Sequence, residues 1–204
     1  MTDATARLID AAERIVAEQG LGAMTARAVQ EAAGQANKSA VQYHFGDRDG
    51  LIRAVVEARM ARANDRRTSM LLALDDDPTL RELVEVYVLP LAESVESHEP
   101  SHWARFLLQA VNDPKIGVVA MDSVQSEAFR AVQRRLLARM DHVPEPLRPL
   151  RLGAALGFVC AALAAYEVAG PPDGVSADEL NADLVDACVG LLTVPSTSRT
   201  PATT

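Results

Sequence analysis

Between Thr25 and Leu51 the chain reads TARAVQEAAGQANKSAVQYHFGDRDGL, a stretch dense in hydroxyl, amide, imidazole and guanidinium groups. A short helix is expected over 38–45, and Ser39, Ala40 and Gln42 are its outward positions, placed to meet base edges in a DNA groove. The Gln42 carboxamide matches the donor–acceptor pair of an adenine, and the Ala40 methyl suits the methyl of a thymine. Asn37, Lys38 and Ser39 open the same helix, where free backbone N–H groups and the positive dipole end favour a phosphate. Arg27, near the start of the preceding helix, is a further phosphate candidate.

These groups need two helices to position them. Thr25 is a good N-cap, since its hydroxyl accepts from a free backbone N–H of the first turn. Ala28, Val29 and Ala32 then recur at helical spacing, and Gly34 stands where a helix stops in the left-handed conformation. Val41 and Phe45 are four apart and share the inner face of the second helix, so Phe45 is assigned to the core. Two short helices joined by a tight glycine-containing turn make a helix-turn-helix, whose second helix enters the major groove. A first helix over 5–19 carries Leu8, Ile9, Ala12, Ile15 and Val16 on one stripe and ends at Gly20. A fourth starts after Gly46 with Asp47 as its cap and runs through Leu51, Ile52, Val55, Val56 and Met60 to about Leu74. Its middle, Arg59 to Arg67, is heavily charged and is expected to be solvated.

The stretch resembles the DNA-binding signature of the TetR-like transcriptional repressors. Thr25 opens the second helix, AAG ends it, the third closes on Tyr43-His44-Phe45, and Arg48 and Leu51 open a long fourth. The turn runs one residue longer than the commonest family form. The resemblance covers residues 5 to about 60, and beyond that rests on length and an all-helical pattern. It implies that Tyr43 and His44 bind backbone phosphate, joined by Thr25 and Arg48. The bland alternatives are a core Tyr43 and a solvated surface His44, while Thr25 is a cap in either case. It also implies an effector pocket between helices four and seven, with Tyr87, Trp103, Phe106, Gln109, Met121, Gln125 and Phe129 as candidate lining. Aromatic and Met residues at such spacing more often form ordinary core. Few of these groups are polar, which points to an apolar or amphipathic small molecule.

Composition agrees with an all-α chain of about nine helices. Aromatics make up only 4% of its 204 residues, and β-branched runs are nearly absent. The net charge of −8 argues against a protein that coats nucleic acid. That charge is uneven: residues 1–67 hold ten basic and nine acidic groups, and residues 68–204 ten basic and nineteen acidic. A near-neutral head on an acidic body suits local phosphate contacts. The start of the chain lacks the pattern of a signal peptide, and the apolar run 152–166 falls short of the roughly 20 residues that span a bilayer. Cys160 and Cys188 lie in apolar helical contexts and are expected to be reduced core thiols.

Later helices are expected over 80–91, 101–112 and 118–140, with Pro90 kinking or ending the first of them. Two more run from Leu147 to Ala169 and from Ser176 to Val194, the latter opened by a Ser176–Glu179 capping box. Their apolar surface exceeds what one body can cover, which suggests a homodimer interface, as the resemblance also implies. Gly153 and Gly157 would allow close helix approach. The expected organisation is a helix-turn-helix DNA-binding domain over 1–46, an effector-binding and dimerisation domain over 47–195, and a disordered tail over 196–204.

No catalytic set, cofactor or metal is expected. The four histidines form no HExxH pair, no Gly-rich phosphate loop follows a strand, and no Ser sits in a nucleophile elbow. His98 and His102 have a helical metal-pair spacing, but Pro100 lies between them. The expected protein is a cytoplasmic, ligand-responsive repressor, homodimeric on pseudo-palindromic double-stranded operator DNA and released by a small molecule. The competing expectation is an all-helical small-molecule-binding dimer without DNA-binding activity.

Overall fold

The computed structural model describes residues 2–37, 39–96, 100–117 and 126–196. Nine α-helices and no strand occur among the described residues, as the composition predicts. The head holds α1 (Asp3–Gln19), α2 (Ala26–Ala32) and α3 (Ala40–Phe45), and α4 (Arg48–Ala73) runs from it into the body. The body adds α5 (Leu80–Glu96), α6 (Trp103–Asn112), α7 (Glu127–Ala138), α8 (Arg148–Ala169) and α9 (Ala177–Thr193).

Local chemistry sets most of these boundaries. The Thr25 hydroxyl accepts from Ala28 N at 3.1 Å and the Asp47 carboxylate from Gly50 N at 2.7 Å, so α2 and α4 begin where the caps predict. Ser176 and Glu179 form the expected capping box on α9. The α1 stripe of Leu8, Ile9, Ala12, Ile15 and Val16 is buried, and Gly20 ends the helix at φ +88°. Cys160 and Cys188 are buried free thiols, which burial pushes up to about 12 and about 11. The expected start of the seventh helix at Val118 lies outside the described residues. Its described part opens at Glu127, with the Ser126 hydroxyl accepting from Phe129 N.

The expected solvation of the α4 middle is corrected, and of the two outcomes expected of Pro90, a kink or an end, the end does not occur. Pro90 does not end α5, which continues to Glu96. A proline at 90 leaves the Val86 carbonyl without its helical donor. Arg67 of α4 supplies one, its Nε donating to Val86 O at 3.3 Å and its Nη2 to Tyr87 O at 3.5 Å. Arg67 is therefore 1% exposed rather than solvated. It extends the buried stripe of Val56, Met60 and Ala63, which packs α4 on α5 and α7.

Arg59 is also withdrawn from solvent. Its Nη2 donates to Asp10 Oδ1 at 2.7 Å and its Nε to Glu13 Oε2 at 2.5 Å, stapling α1 to α4. Glu13 is 3% exposed, and burial raises its carboxyl pKa against the opposing pull of Arg59. A raised folded pKa means that this group's stabilisation is complete at low pH and is lost as pH rises through that pKa. Arg59→Met leaves the carboxylate buried and unpaired, so it should destabilise the fold by about 3 kcal/mol near neutral pH. That loss should shrink in acid, once pH falls below the raised pKa at which Glu13 takes up a proton. Urea unfolding at neutral and at acid pH measures it, and an equal loss at the two would contradict the burial account.

Candidate nucleic-acid interface

The two short helices of the head meet at a turn closed by backbone geometry. Gly34 adopts φ +65°, and Gln35 N donates to Gln30 O at 2.9 Å. The Asn37 side chain then accepts from Ser39 N at 3.0 Å. Helix α3 starts at Ala40, two residues later than predicted, because Asn37 and Ser39 form a turn ahead of it. Lys38 lies outside the described residues.

Only part of the expected reading set is exposed. Thr25, Arg27, Asn37, Ser39, Gln42, Tyr43, His44 and Arg48 are all exposed. Ala40 is the exception. It is 5% exposed, turned inward beside Val41, so its methyl does not face a base. A six-residue helix seated on α2 and α4 must commit its first positions to the core. Phe45 packs against that core as expected. Tyr43 is 82% exposed, and its ring meets His44 edge to face with centroids 5.0 Å apart. A large ring held that far into solvent has no packing role in the single chain.

The electrostatics of the face are restrained. Arg27 Nε bonds Glu31 Oε1 at 2.8 Å, and Arg48 Nη2 donates to Leu21 O at 2.6 Å. Arg48 thus ties the start of α4 to the turn before α2. The Thr25 oxygen is used in its cap, leaving its proton for an outside acceptor. Between Thr25, Gln42 and Arg48 opens a cleft of about 530 Å³.

The expected lining of the body divides. The Tyr87 and Phe129 rings stack with centroids 5.3 Å apart, and Arg67 Cζ lies 5.0 Å from the Phe129 centroid. Trp103 and Phe106 form a second stacked pair at 5.8 Å. All four aromatics are buried, and the Tyr87 hydroxyl and Trp103 Nε1 have no hydrogen bond of ordinary length. Gln109 does not join them. Its Nε2 donates to Val16 O at 2.7 Å and its Oε1 accepts from Leu21 N at 3.2 Å, so its amide clamps α6 to the head. Met121 and Gln125 lie outside the described residues, as does His98. Among the described residues no cluster of three His, Cys, Asp or Glu groups is arranged to hold a metal.

Residues 8–55 match the family model for bacterial regulatory proteins of the TetR family. The chain carries a TetR-family head. No curated protein matches the sequence. Solved structures of similar fold include a TetR family transcription regulator from Marinobacter aquaeolei VT8, 16% identical, with 91% of this chain and 94% of that one covered and a TM-score of 0.61. The fatty acid degradation regulator FadR from Bacillus halodurans is 14% identical over 94% and 96%, with a TM-score of 0.62. The multidrug binding protein EbrR, complexed with imidazole, is 21% identical over 97% and 99%, with a TM-score of 0.53. The chain therefore shares the fold of these TetR-family proteins, and the family model over its head is one of bacterial regulatory proteins.

Four residues that position these parts carried weak sequence signals. Arg67 was hidden in a charged run, although its spacing from Met60 and Ala63 follows the buried stripe. Glu167 accepts from Ala104 N at 2.7 Å and Arg105 N at 3.0 Å, so α8 caps α6 across the fold. Gln109 gave no sign of which neighbour its amide would face. Gly50 lies where a Cβ would sit 2.0 Å from Phe45 O, so α3 and α4 meet closely there. Gly50→Ala should cost about 1–3 kcal/mol through overpacking and push α3 off its seat. Melting temperature and DNA affinity should therefore fall together. Unchanged values for both would contradict the contact.

Proposed function

We propose that the protein is a cytoplasmic, ligand-responsive transcriptional repressor, binding a pseudo-palindromic operator as a homodimer and released by a small-molecule effector. The observation that carries this reading is the Tyr43–His44 pair, held out from a packed head with no intramolecular task. Thr25, Gln42 and Arg48 border one cleft nearby, and Ser39 is exposed as well. Tyr43, His44, Thr25 and Arg48 take phosphates, and Gln42 and Ser39 read base edges. Residues 1–46 and 47–195 serve as DNA-binding and effector-dimerisation units.

The dimer reading draws on α8 and α9. Gly153, Gly157, Ala161 and Ala165 recur every four residues along α8, with Phe158 exposed among them and Leu191 exposed on α9. No side chain approaches the two glycines. Length and composition alone would let α8 cross a membrane. Its buried inner face and the engaged Glu167 carboxylate favour a second copy of the chain instead. Such a dimer places two copies of α3 about 34–36 Å apart, one turn of DNA, or further apart on a longer operator. An effector that changes this spacing with a coupling of roughly 1–3 kcal/mol changes operator affinity about 5- to 150-fold. Gly157→Leu should shift the protein toward monomer in light scattering, and an undiminished dimer mass would count against this face.

The commitment of Arg27 to Glu31 and Arg48 to Leu21 favours the second reading, a small-molecule-binding dimer that does not bind DNA. Binding to fragments flanking the protein's own gene, across a salt series, separates the two. The repressor should bind specifically, with affinity falling as salt rises because phosphate contacts release counterions. Tyr43→Ala should weaken that binding roughly tenfold while the dimer stays intact. No binding by the folded dimer would leave the second reading standing.

A further inference from the structure

Arg67 is a buried cation without an anion. Its five N–H donors meet three acceptors, Asn64 Oδ1 and the carbonyls of Val86 and Tyr87, and all three are neutral. No carboxylate among the described residues pairs with it. Burial lowers the guanidinium to about 10, as expected of a charge stripped of water and met only by neutral acceptors and the face of the Phe129 ring, 5.0 Å away. The carbonyl contacts explain why α5 tolerates Pro90, yet they return none of the charge balance.

A second under-bonded group lies beside it. The Tyr87 hydroxyl is buried with no hydrogen bond of ordinary length, only a weaker interaction with the Gln133 side chain, and Tyr87, Phe129 and Arg67 border the same small cavity. The rest of that wall is apolar, including Met60, Leu107 and Leu156. A guanidinium and an under-bonded phenol, both on residues that border this otherwise apolar cavity, suit one kind of guest. It must bring oxygen acceptors, a negative charge and a hydrophobic remainder.

We propose that the effector is an organic acid, its carboxylate held by Arg67 and the Tyr87 hydroxyl and its apolar part lodged against Met60, Leu107 and Leu156. This rests on the effector reading of the body given above and adds the chemical class. The cavity now measures about 10 Å³, room for one water-sized guest, so the acid must part the side chains around it. Met60 is flexible enough to yield. Arg67 and Met60 both belong to α4, which carries Arg59 against α1 and Arg48 against the turn before α2. A guest that displaces α4 at Arg67 therefore acts on the helix that seats the head.

The test is calorimetric titration and thermal melting of the full chain with octanoate and benzoate. Each is set beside its neutral amide and its amine analogue, octanamide and octylamine or benzamide and benzylamine. At least one acid should bind and raise the melting temperature while its amide and amine do not. Arg67→Met should abolish acid binding, but it also strips donors from α5 and so threatens the fold. Tyr87→Phe avoids that problem, because it removes an under-bonded hydroxyl and should leave melting of the free protein unchanged or raised. Its acid affinity should fall roughly tenfold, the effect of losing one charge-assisted hydrogen bond. Full acid affinity in Tyr87→Phe would overturn the assignment. Binding of the amides or amines in place of the acids would overturn the acid class and leave the effector reading intact. Binding of none of the six would overturn the acid class as well, and the effector reading then stands or falls on release of operator DNA by other small molecules.

Discussion

Glu13 is a carboxylate on the packed side of α1, and it is tolerable there because Arg59 reaches across from α4 to meet it. A lone carboxylate in that setting would demand a proton or a different seat for the helix. The pair thus sets where α1 lies on α4, and α1 in turn packs on α2, while α3 is seated on α2 and α4. On its other side α1 meets α6, where Gln109 bonds the last turn of α1 and the turn beyond it. These two polar attachments and the buried apolar stripe of α1 together seat the head on the body.

Helix α6 is held at both ends by neighbours. At its N-terminus the buried Glu167 carboxylate of α8 takes the free N–H groups of Ala104 and Arg105, the role a local cap would otherwise fill. At its other end Gln109 grips the head. A short rigid helix gripped this way links the proposed dimer surface to the proposed DNA face. Helix α4 makes a second link, from Arg67 in the body to Arg59 and Arg48 at the head. The Tyr87–Phe129 pair of the body borders a cavity with almost no spare room, so a guest there cannot be accommodated without moving a wall.

Much of this was legible in the sequence, and the legible part shares one property. Caps, stops and stripes act within a few residues of themselves. Thr25, Asp47, Ser126 and Ser176 each satisfy an N–H two or three residues on, and Gly20 and Gly34 each serve one local backbone conformation. The head could therefore be drawn from spacing alone, and the family model covers the same stretch. What failed to show were choices made by a partner. Ala40 reads as outward until α2 and α4 close over it, and Gln109 reads as a pocket residue until α1 offers it a carbonyl and an N–H. Pro90 reads as a break until Arg67 supplies the missing donor from another helix.

By itself, then, the sequence determined most of the helices, their caps and a head with the TetR-family pattern, because hydrogen bonds within a turn and apolar periodicity are local. Only the tertiary structure decided which polar side chains are spent inside the molecule and which remain for a guest. Glu13, Gln109 and Glu167 are spent, Tyr43 is offered outward, and in the core the Arg67 charge is left without an anion and the Tyr87 hydroxyl under-bonded. The physical reason is that a polar group's cost on burial depends on its partner, and the partners lie tens of residues away along the chain.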